Sequence, residues 1–542
     1  MRGPALDRVV SIAGCAIAGG AASTVLRHVG LLGVLLGAIV GAALGFLAPS
    51  AKPSTAPSPP TFERFSLLAT LLFFVPVFTM TIVPGADMTM HVALGRAIAD
   101  GGRELNPAWG DIAVIAYPRG LSAWVALISV VTGFTKAGLV AAAFAYAVYA
   151  VSLRAFLRDV LEVPFPSLVA VLVLLASKSP QGFFSWGGNP TALALALGLL
   201  AAATLASSAE RAPVRAGLVV AVLLVGALFC HPIGGFAGLI VVGISALVRL
   251  FVAPAALRAP LFRSLAIATG LAFAVSGAVM LVLKRGGPAL SPYELAWIDE
   301  FVTREENVLR GPRWAFPITV WGAAFEHLGA PWIGLYVVAI GAELRTTAGR
   351  TRALRSILAV VALGALFAFG PRVPAIGFLL YPGRFLPLLA IAMAPPMGFS
   401  LEGFAATRPR LAWIPATMAL AIGIGVHVDM VQTAKPMATA NDLAAIRCLD
   451  EKAPKTAVIE GWYGDATQWI PSLTGRKVTR PHVHCTLFDE VRASLAGSRA
   501  TYRFVGERHR YEEPRELLDT PLPDPPPVAP LCRVGGAAVY PL

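Results

Sequence analysis

The sequence predicts a mostly α-helical polytopic transmembrane bundle of about 12–14 helices, with a small extracytoplasmic α/β or α+β domain at its C-terminal end. Three observations carry this. Hydrophobic residues make up 56% of the 542 residues and charged residues only 14%, and the mean hydropathy is +0.70. Apolar runs of near-spanning length recur from residue 9 to residue 428. From about residue 433 the runs shorten and alternate with polar stretches, as in a water-soluble domain of about 100 residues.

In chain order, runs 9–26 and 29–48 form an N-terminal hairpin, residues 1–50. Arg2 and Arg8 give the first run the look of a secretory signal, but the second run follows at once and favours a retained hairpin. Residues 51–64, opening AKPSTAPSPP, are a Pro- and Ser-rich linker. The main transmembrane domain, 65–432, contains runs 65–84, 121–134, 137–151, 168–177, 191–207, 218–232, 236–252, 265–283, 318–340, 357–369, 375–394 and 412–428. An untilted span needs about 20 residues. Several runs are shorter and begin or end at Pro or Gly, the habit of kinked, re-entrant or interior helices.

Charge orients the bundle. The net charge of +13 sits in short interhelical loops, not in an aromatic-interleaved patch, which excludes a nucleic-acid partner and leaves the lipid bilayer. Basic loops 210–215, 258–263, 345–355 and 408–410 belong in the cytoplasm. Loops 84–119, 178–189 and 285–317 then fall outside, with the C-terminal region. Loops 84–119 and 178–189 share a side only if an even number of crossings separates them, so one of runs 121–134, 137–151 and 168–177 does not cross. Arg154 and Arg158 prefer the cytoplasm and point to one of the first two.

Residues 433–542 read as the soluble domain, with a helix at 438–449, strands at 456–460 (TAVIE) and 536–540 (GAAVY), and an extended PLPDPPPVAP segment between them. Cys448, Cys485 and Cys532 can supply one disulfide in an oxidising compartment, with the pairing open. Cys15 and Cys230 lie in apolar runs and are small packing residues.

The segment that calls for chemistry is GADMTMH, directly after the run 65–84. An Asp at the edge of hydrocarbon is costly. Asp87 and His91 share a face if a helix begins there. Asp87 then either caps an amphipathic surface helix with His91 in water, or acts as a general base or metal ligand with His91 positioning a phosphate or proton. Four further stretches stand out. Trp186 and Asn189 lie in FSWGGNP, a tight interfacial turn. Arg384 in LLYPGRF snorkels to the interface or grips a phosphate. His231 in CHPIGG ends a helix, and Asp465 and Trp469 in GWYGDATQWIP belong to a loop packed on the domain core. His427 with Asp429, and Glu326 with His327, mark the water interface. No P-loop, dinucleotide fingerprint, GxSxG or HExxH occurs in a usable context, so soluble nucleotide chemistry is not indicated.

The loop 84–119 as a whole resembles that of the GT-C superfamily, polytopic glycosyltransferases that use polyprenyl-phosphate sugar donors. Asp87, His91, Gly101, Pro107, Tyr117 and Pro118 fill its Asp-x3-His, glycine-turn and Tyr-Pro positions. The resemblance implies an inverting hexosyl- or pentosyltransferase of the cytoplasmic membrane. Its partners would be a polyprenyl-phosphate sugar and an envelope glycan or lipid acceptor. Asp87 would be the base, with a divalent cation, Mg or Mn, as a candidate cofactor held by Asp87. Tyr117, Trp186, Asn189 and His231 would line the lipid-sugar cavity, Arg384 would hold the phosphate, and Asp465 and Trp469 would contact the acceptor. One departure stands. Many members carry two adjacent acids here, whereas Ala86 and Met88 flank Asp87, leaving Glu104, Asp111, Glu294, Asp299 or Glu300 to supply a second. Broken helices also suit a transporter or flippase of a lipid-linked substrate, though no internal repeat accompanies them. A scaffold that kept the shell and lost the second acid is the third reading.

Overall fold

Chain in a bilayer has to satisfy its backbone polar groups internally, and here helices do almost all of that work. The computed structural model describes residues 3–24, 30–46, 66, 68–101, 118–252, 254–285, 328–369, 382–461, 465–479, 499–507 and 525–542. Helices α1 (Gly3–Ser23) and α2 (Leu31–Gly45) form the N-terminal hairpin. Glycine makes it close: a Cβ on Gly41 would lie 2.0 Å from the Cys15 carbonyl oxygen, and one on Gly19 2.2 Å from that of Gly37.

A 3-10 turn (Ala69–Phe74) leads to α3 (Val75–Thr79), α4 (Ala86–Ala99), α5 (Gly120–Asp159), α6 (Pro166–Ala176) and α7 (Lys178–Trp186). Next come α8 (Asn189–Ser208), α9 (Pro213–Cys230), α10 (Pro232–Val252) and α11 (Ala255–Arg285). The described bundle ends with α12 (Ala330–Glu343), α13 (Thr347–Phe369), α14 (Pro382–Ala392), α15 (Pro395–Thr407) and α16 (Trp413–Thr433). α1 packs against α5 and α9, which ties the hairpin into the bundle. Among the described residues, seven helical stretches are long and apolar enough to cross a membrane, and shorter apolar helices accompany them. Exposed Leu32, Ile39, Phe251 and Val338 give the outside the apolar surface lipid requires. The chain is a multi-pass membrane protein.

Two interruptions shape the region around Asp87. The first is Gly133, with φ 69° and ψ 162° inside α5. Its positive φ turns 120–132 back over the end of the bundle that holds Asp87. Both ends of that stretch stay there. A Cβ on Gly120 would meet Phe229 and Cys230 at the end of α9, and Lys136 donates from Nζ to the Val77 and Met80 carbonyls, at 2.9 and 2.5 Å. Residues 134–159 then run to the opposite end, about 39 Å at 1.5 Å per residue. Residues 120–132 therefore stay at the Asp87 end of the bundle, and 134–159 run its length.

The second interruption is Ser177, extended between α6 and α7. The carbonyls it releases are met by Gln181, whose Nε2 donates to Leu175 O at 2.5 Å and Ser177 O at 3.3 Å. That fixes Oε1 toward His427, 2.9 Å from its Nδ1, while His427 Nε2 lies 3.3 Å from Leu72 O. His427 is therefore buried and does not mark the water interface as the sequence suggested, because the broken helix needs its ring.

The C-terminal domain is mixed α/β. Helix α17 (Ala440–Lys452) opens on a capping box between Thr439 and Asp442. Helix α18 (Ile470–Thr474) follows β1 (Val458–Glu460), and β2 (Lys477–Val478), β3 (Tyr502–Val505), β4 (Cys532–Val534) and β5 (Ala537–Pro541) complete the sheet. The spatial order is β2-β1-β3-β5-β4, parallel across β2-β1-β3 and antiparallel across β3-β5-β4. The disulfide is Cys448–Cys532, which ties α17 to β4. Buried Arg476 holds the end of α17 through the Asp450 carboxylate and the Ala453 and Pro454 carbonyls.

Two outcomes are expected. Gln181→Leu strips the Leu175 and Ser177 carbonyls of their donor and should cost about 1–3 kcal/mol, read as a lowered unfolding midpoint in detergent; an unchanged midpoint would remove Gln181 from this role. Burial alone would raise the Asp450 carboxyl, but hydrogen bonds from Lys455 and Arg476 outweigh it and hold the group below its ordinary value. Its folded value lies under its unfolded one, so the stability it adds is present above the unfolded value and is lost as pH falls through the folded one. Thermal melts should show the domain weakening below about pH 4 in the wild type and less steeply in Asp450→Asn.

Candidate functional site

The site is built on α4. Gly85, with φ 91°, turns the chain into the helix and takes the cap position, which leaves Asp87 in the first turn and not at the cap. Asp87 is half-buried, whereas almost all of the helix behind it is buried. His91 is buried, its Nδ1 3.3 Å from Ser122 Oγ on α5. The expected water-facing surface helix is thus corrected to an enclosed one.

The C-terminal domain does the enclosing. Ser472 Oγ donates to Thr89 O at 2.8 Å. Arg96 Nη1 donates to Leu473 O at 2.8 Å and Ser472 O at 3.3 Å, while its guanidinium sits 5.4 Å over the Phe134 ring. Sequence reading missed Arg96, since an Arg near a helix end looks solvated until its carbonyl partners are known.

Trp186 ends α7 and passes directly into Gly187, which has φ 99°. A Cβ there would lie 2.8 Å from Met88 N and 3.0 Å from Asp87 Cβ. The FSWGGNP turn is therefore pressed against the first turn of α4, and two separate sequence signals become one place. Asn189, the first residue of α8, is buried, and neither of its amide atoms has a hydrogen-bond partner among the described residues. A buried polar group without a partner is costly and rare in native proteins.

A second set of such groups lies in the 3-10 turn Ala466–Trp469, which contacts α4. Among the described residues, Thr467 Oγ1, both amide atoms of Gln468 and Trp469 Nε1 are buried without hydrogen-bond partners. Asp465 Oδ1 accepts from Thr467 N at 2.8 Å and so shapes this turn, and Trp469 packs in the core. Gln468 carried no sequence signal beyond its place between the two residues singled out.

The other expected residues are distributed as follows. His231 lies between α9 and α10, and its Nδ1 accepts from Gly234 N at 3.2 Å, which caps α10. The same turn touches Gly120, where loop 84–119 re-enters the bundle, and buried Arg119 precedes it there. Arg384 falls in the first turn of α14, a helix that packs against α7 and α10. Tyr117 lies outside the described residues, as do Glu104, Asp111, Glu294, Asp299 and Glu300. Among the described residues, no group of three His, Cys, Asp or Glu side chains converges on one point. Those residues alone do not fit a metal cradle around Asp87.

No family model and no curated protein matches the sequence. Solved structures do match. ArnT from Cupriavidus metallidurans bound to undecaprenyl phosphate aligns with a TM-score of 0.53 at 14% identity, over 89% of this chain and 98% of that one. Its apo state gives 0.53 at 13% over the same shares. The Archaeoglobus fulgidus oligosaccharyltransferase in complex with Zn and sulfate gives 0.43 at 13%, over 82% of this chain and 67% of that one. The chain has a GT-C-like fold. Within this fold, the Gly187 turn approaches Asp87 where α4 meets α7, two residues before Asn189 opens α8.

Gly187→Ala places a methyl against Met88 N in a backbone conformation that L-residues avoid, and should cost about 1–3 kcal/mol. Gly182→Ala, with open space at its Cβ, is the matched control and should leave the melting midpoint in place. Equal midpoints for the two variants would contradict the close contact.

Proposed function

We propose that this chain is an integral-membrane glycosyltransferase. It moves a sugar from a polyprenyl phosphate to an envelope glycan or lipid acceptor on the extracytoplasmic face of the cytoplasmic membrane. The observation that carries this reading is half-buried Asp87 pressed by the Gly187 turn, two residues before a buried Asn189 amide that has no hydrogen-bond partner among the described residues, on a helix tied to the C-terminal domain. A base at a water–lipid boundary, next to a buried group that both donates and accepts, suits a hydroxyl-rich substrate on a lipid carrier.

Asp87 takes the proton of the acceptor hydroxyl. The acceptor oxygen attacks the anomeric carbon, the bond from that carbon to the phosphate oxygen breaks, and configuration inverts. The phosphate leaves with the bonding pair, its charge met by Arg384. Asn189 orients the sugar through its amide. A likeness in fold to ArnT, solved with undecaprenyl phosphate, supports a lipid-borne phosphate donor. The Cys448–Cys532 disulfide supports an oxidising, extracytoplasmic side for the domain that packs on α4.

The test compares envelope glycans and lipid-linked products in the deletion strain complemented with wild type or Asp87→Asn, with protein level and membrane insertion measured in parallel. Removal of a general base should slow transfer by about 10²–10⁴-fold, so a normally accumulating Asp87→Asn should reproduce the deletion. Full restoration by Asp87→Asn would falsify the catalytic assignment and move the transporter and scaffold readings ahead.

A further inference from the structure

The reaction at Asp87 employs Asn189 and Arg384 and leaves the polar turn of the C-terminal domain without a role. All four residues of that turn, Ala466–Trp469, are buried. Among the described residues, both amide atoms of Gln468, Thr467 Oγ1 and Trp469 Nε1 have no hydrogen-bond partner. Gln468 is the sharpest case. Its carboxamide can donate two hydrogen bonds and accept two, and at 0% exposure it makes none within the described residues. A Leu of similar shape would fill the space without the desolvation cost, so packing does not account for a Gln here. A native protein that buries such a group needs a partner for it that the free chain does not supply.

The chemistry of the turn selects the partner. A hydroxyl, a carboxamide and an indole N–H stand on three consecutive residues, and the Asp465 carboxylate opens the turn. Two arginines flank the next helix, α18, and both are committed. Arg96 donates to the Leu473 and Ser472 carbonyls, and Arg476 pairs with Asp450 and donates to the Ala453 and Pro454 carbonyls. Neutral donors and acceptors beside a carboxylate disfavour a phosphate or a second carboxylate. They suit hydroxyls, which both give and take hydrogen bonds.

Enclosure sets a condition on entry. The turn contacts α4, and α18 is held on α4 by three hydrogen bonds that all end on backbone carbonyls. Water can replace bonds of this kind at small net cost.

We infer that Gln468 is a specificity-determining residue that binds the hydroxyls of a neutral glycan, with the turn parting from α4 to admit it. Thr467 and Trp469 supply a hydroxyl and an N–H to the same glycan. That the glycan is the acceptor rests on the glycosyltransferase reading; that Gln468 binds it does not.

Full-length protein in phosphatidylcholine nanodiscs is immobilised for biolayer interferometry. The probes are the neutral and the anionic polysaccharide pools of the producing cells' envelope, parted on an anion exchanger. Wild type and Asp87→Asn should bind the neutral pool equally, and Gln468→Leu about tenfold more weakly. Without glycan, Gln468→Leu should melt at or above the wild-type midpoint, since it removes two unpaired buried atoms. Arg96→Met cuts two of the three ties to α4 and should bind more tightly, because a larger share of molecules is open. A lowered midpoint for Gln468→Leu would show the amide bonded in the free protein and overturn the assignment. So would equal binding by Gln468→Leu and wild type, no binding of the neutral pool, or binding of the anionic pool alone. Weaker binding by Arg96→Met would overturn the opening. If Asp87→Asn restores the envelope fully and still binds glycan, the glycosyltransferase reading fails and the glycan site stands.

Discussion

The approach of Gly187 to the first turn of α4 is the contact on which the rest of this architecture depends. A glycine with positive φ is needed to bring the α7–α8 turn within van der Waals reach of Met88 N and Asp87. That approach is reached only because α6 and α7 are broken at Ser177, and the break is tolerated only because Gln181 and His427 take up the freed carbonyl groups. On the other side of α4, the backward turn at Gly133 lays 120–132 beneath the helix. Each interruption would be a defect in a simple bundle. Together they hold a half-buried acidic side chain on rigid supports.

Closure from above comes from a different part of the chain. Ser472 and Arg96 tie α18 to α4 through backbone carbonyls, so the tie depends on helix geometry more than on particular side-chain partners. The disulfide and the Arg476–Asp450 pair stiffen the domain at α17. The turn that bears Gln468 is thereby held on α4, with its polar atoms turned away from water. Such groups lower the stability of the free protein and are the kind of cost that binding sites carry.

Much of the fold was legible in the sequence. Apolar runs located the helices, and the composition change near residue 433 located a domain whose observed helix and first and last strands lie at the expected positions. Pairing of Cys448 with Cys532 was among the open alternatives and needed three dimensions to choose it. Asp87 stood out because a charge at a membrane boundary is costly, and the FSWGGNP turn because glycine pairs permit unusual backbone. That the two touch was not legible, since nothing in one dimension measures the distance between residues 87 and 187. His427 was read as near water because a histidine at a segment end usually is, and one of two readings put His91 there as well; each is buried by an element far away in sequence, Ser122 on α5 and Gln181 on α7. Gln468 and Arg96 gave no signal, since their significance lies in which partners they have or lack.

The most direct measurement is a cryo-electron microscopy structure of the protein in nanodiscs with a polyprenyl phosphate. The account predicts phosphate density at the junction of α4, α7, α8 and α14, with Asn189 and Arg384 in contact and Asp87 facing the space where the sugar would sit. Phosphate density on another face of the bundle, with Asp87 sealed from it, would contradict the account.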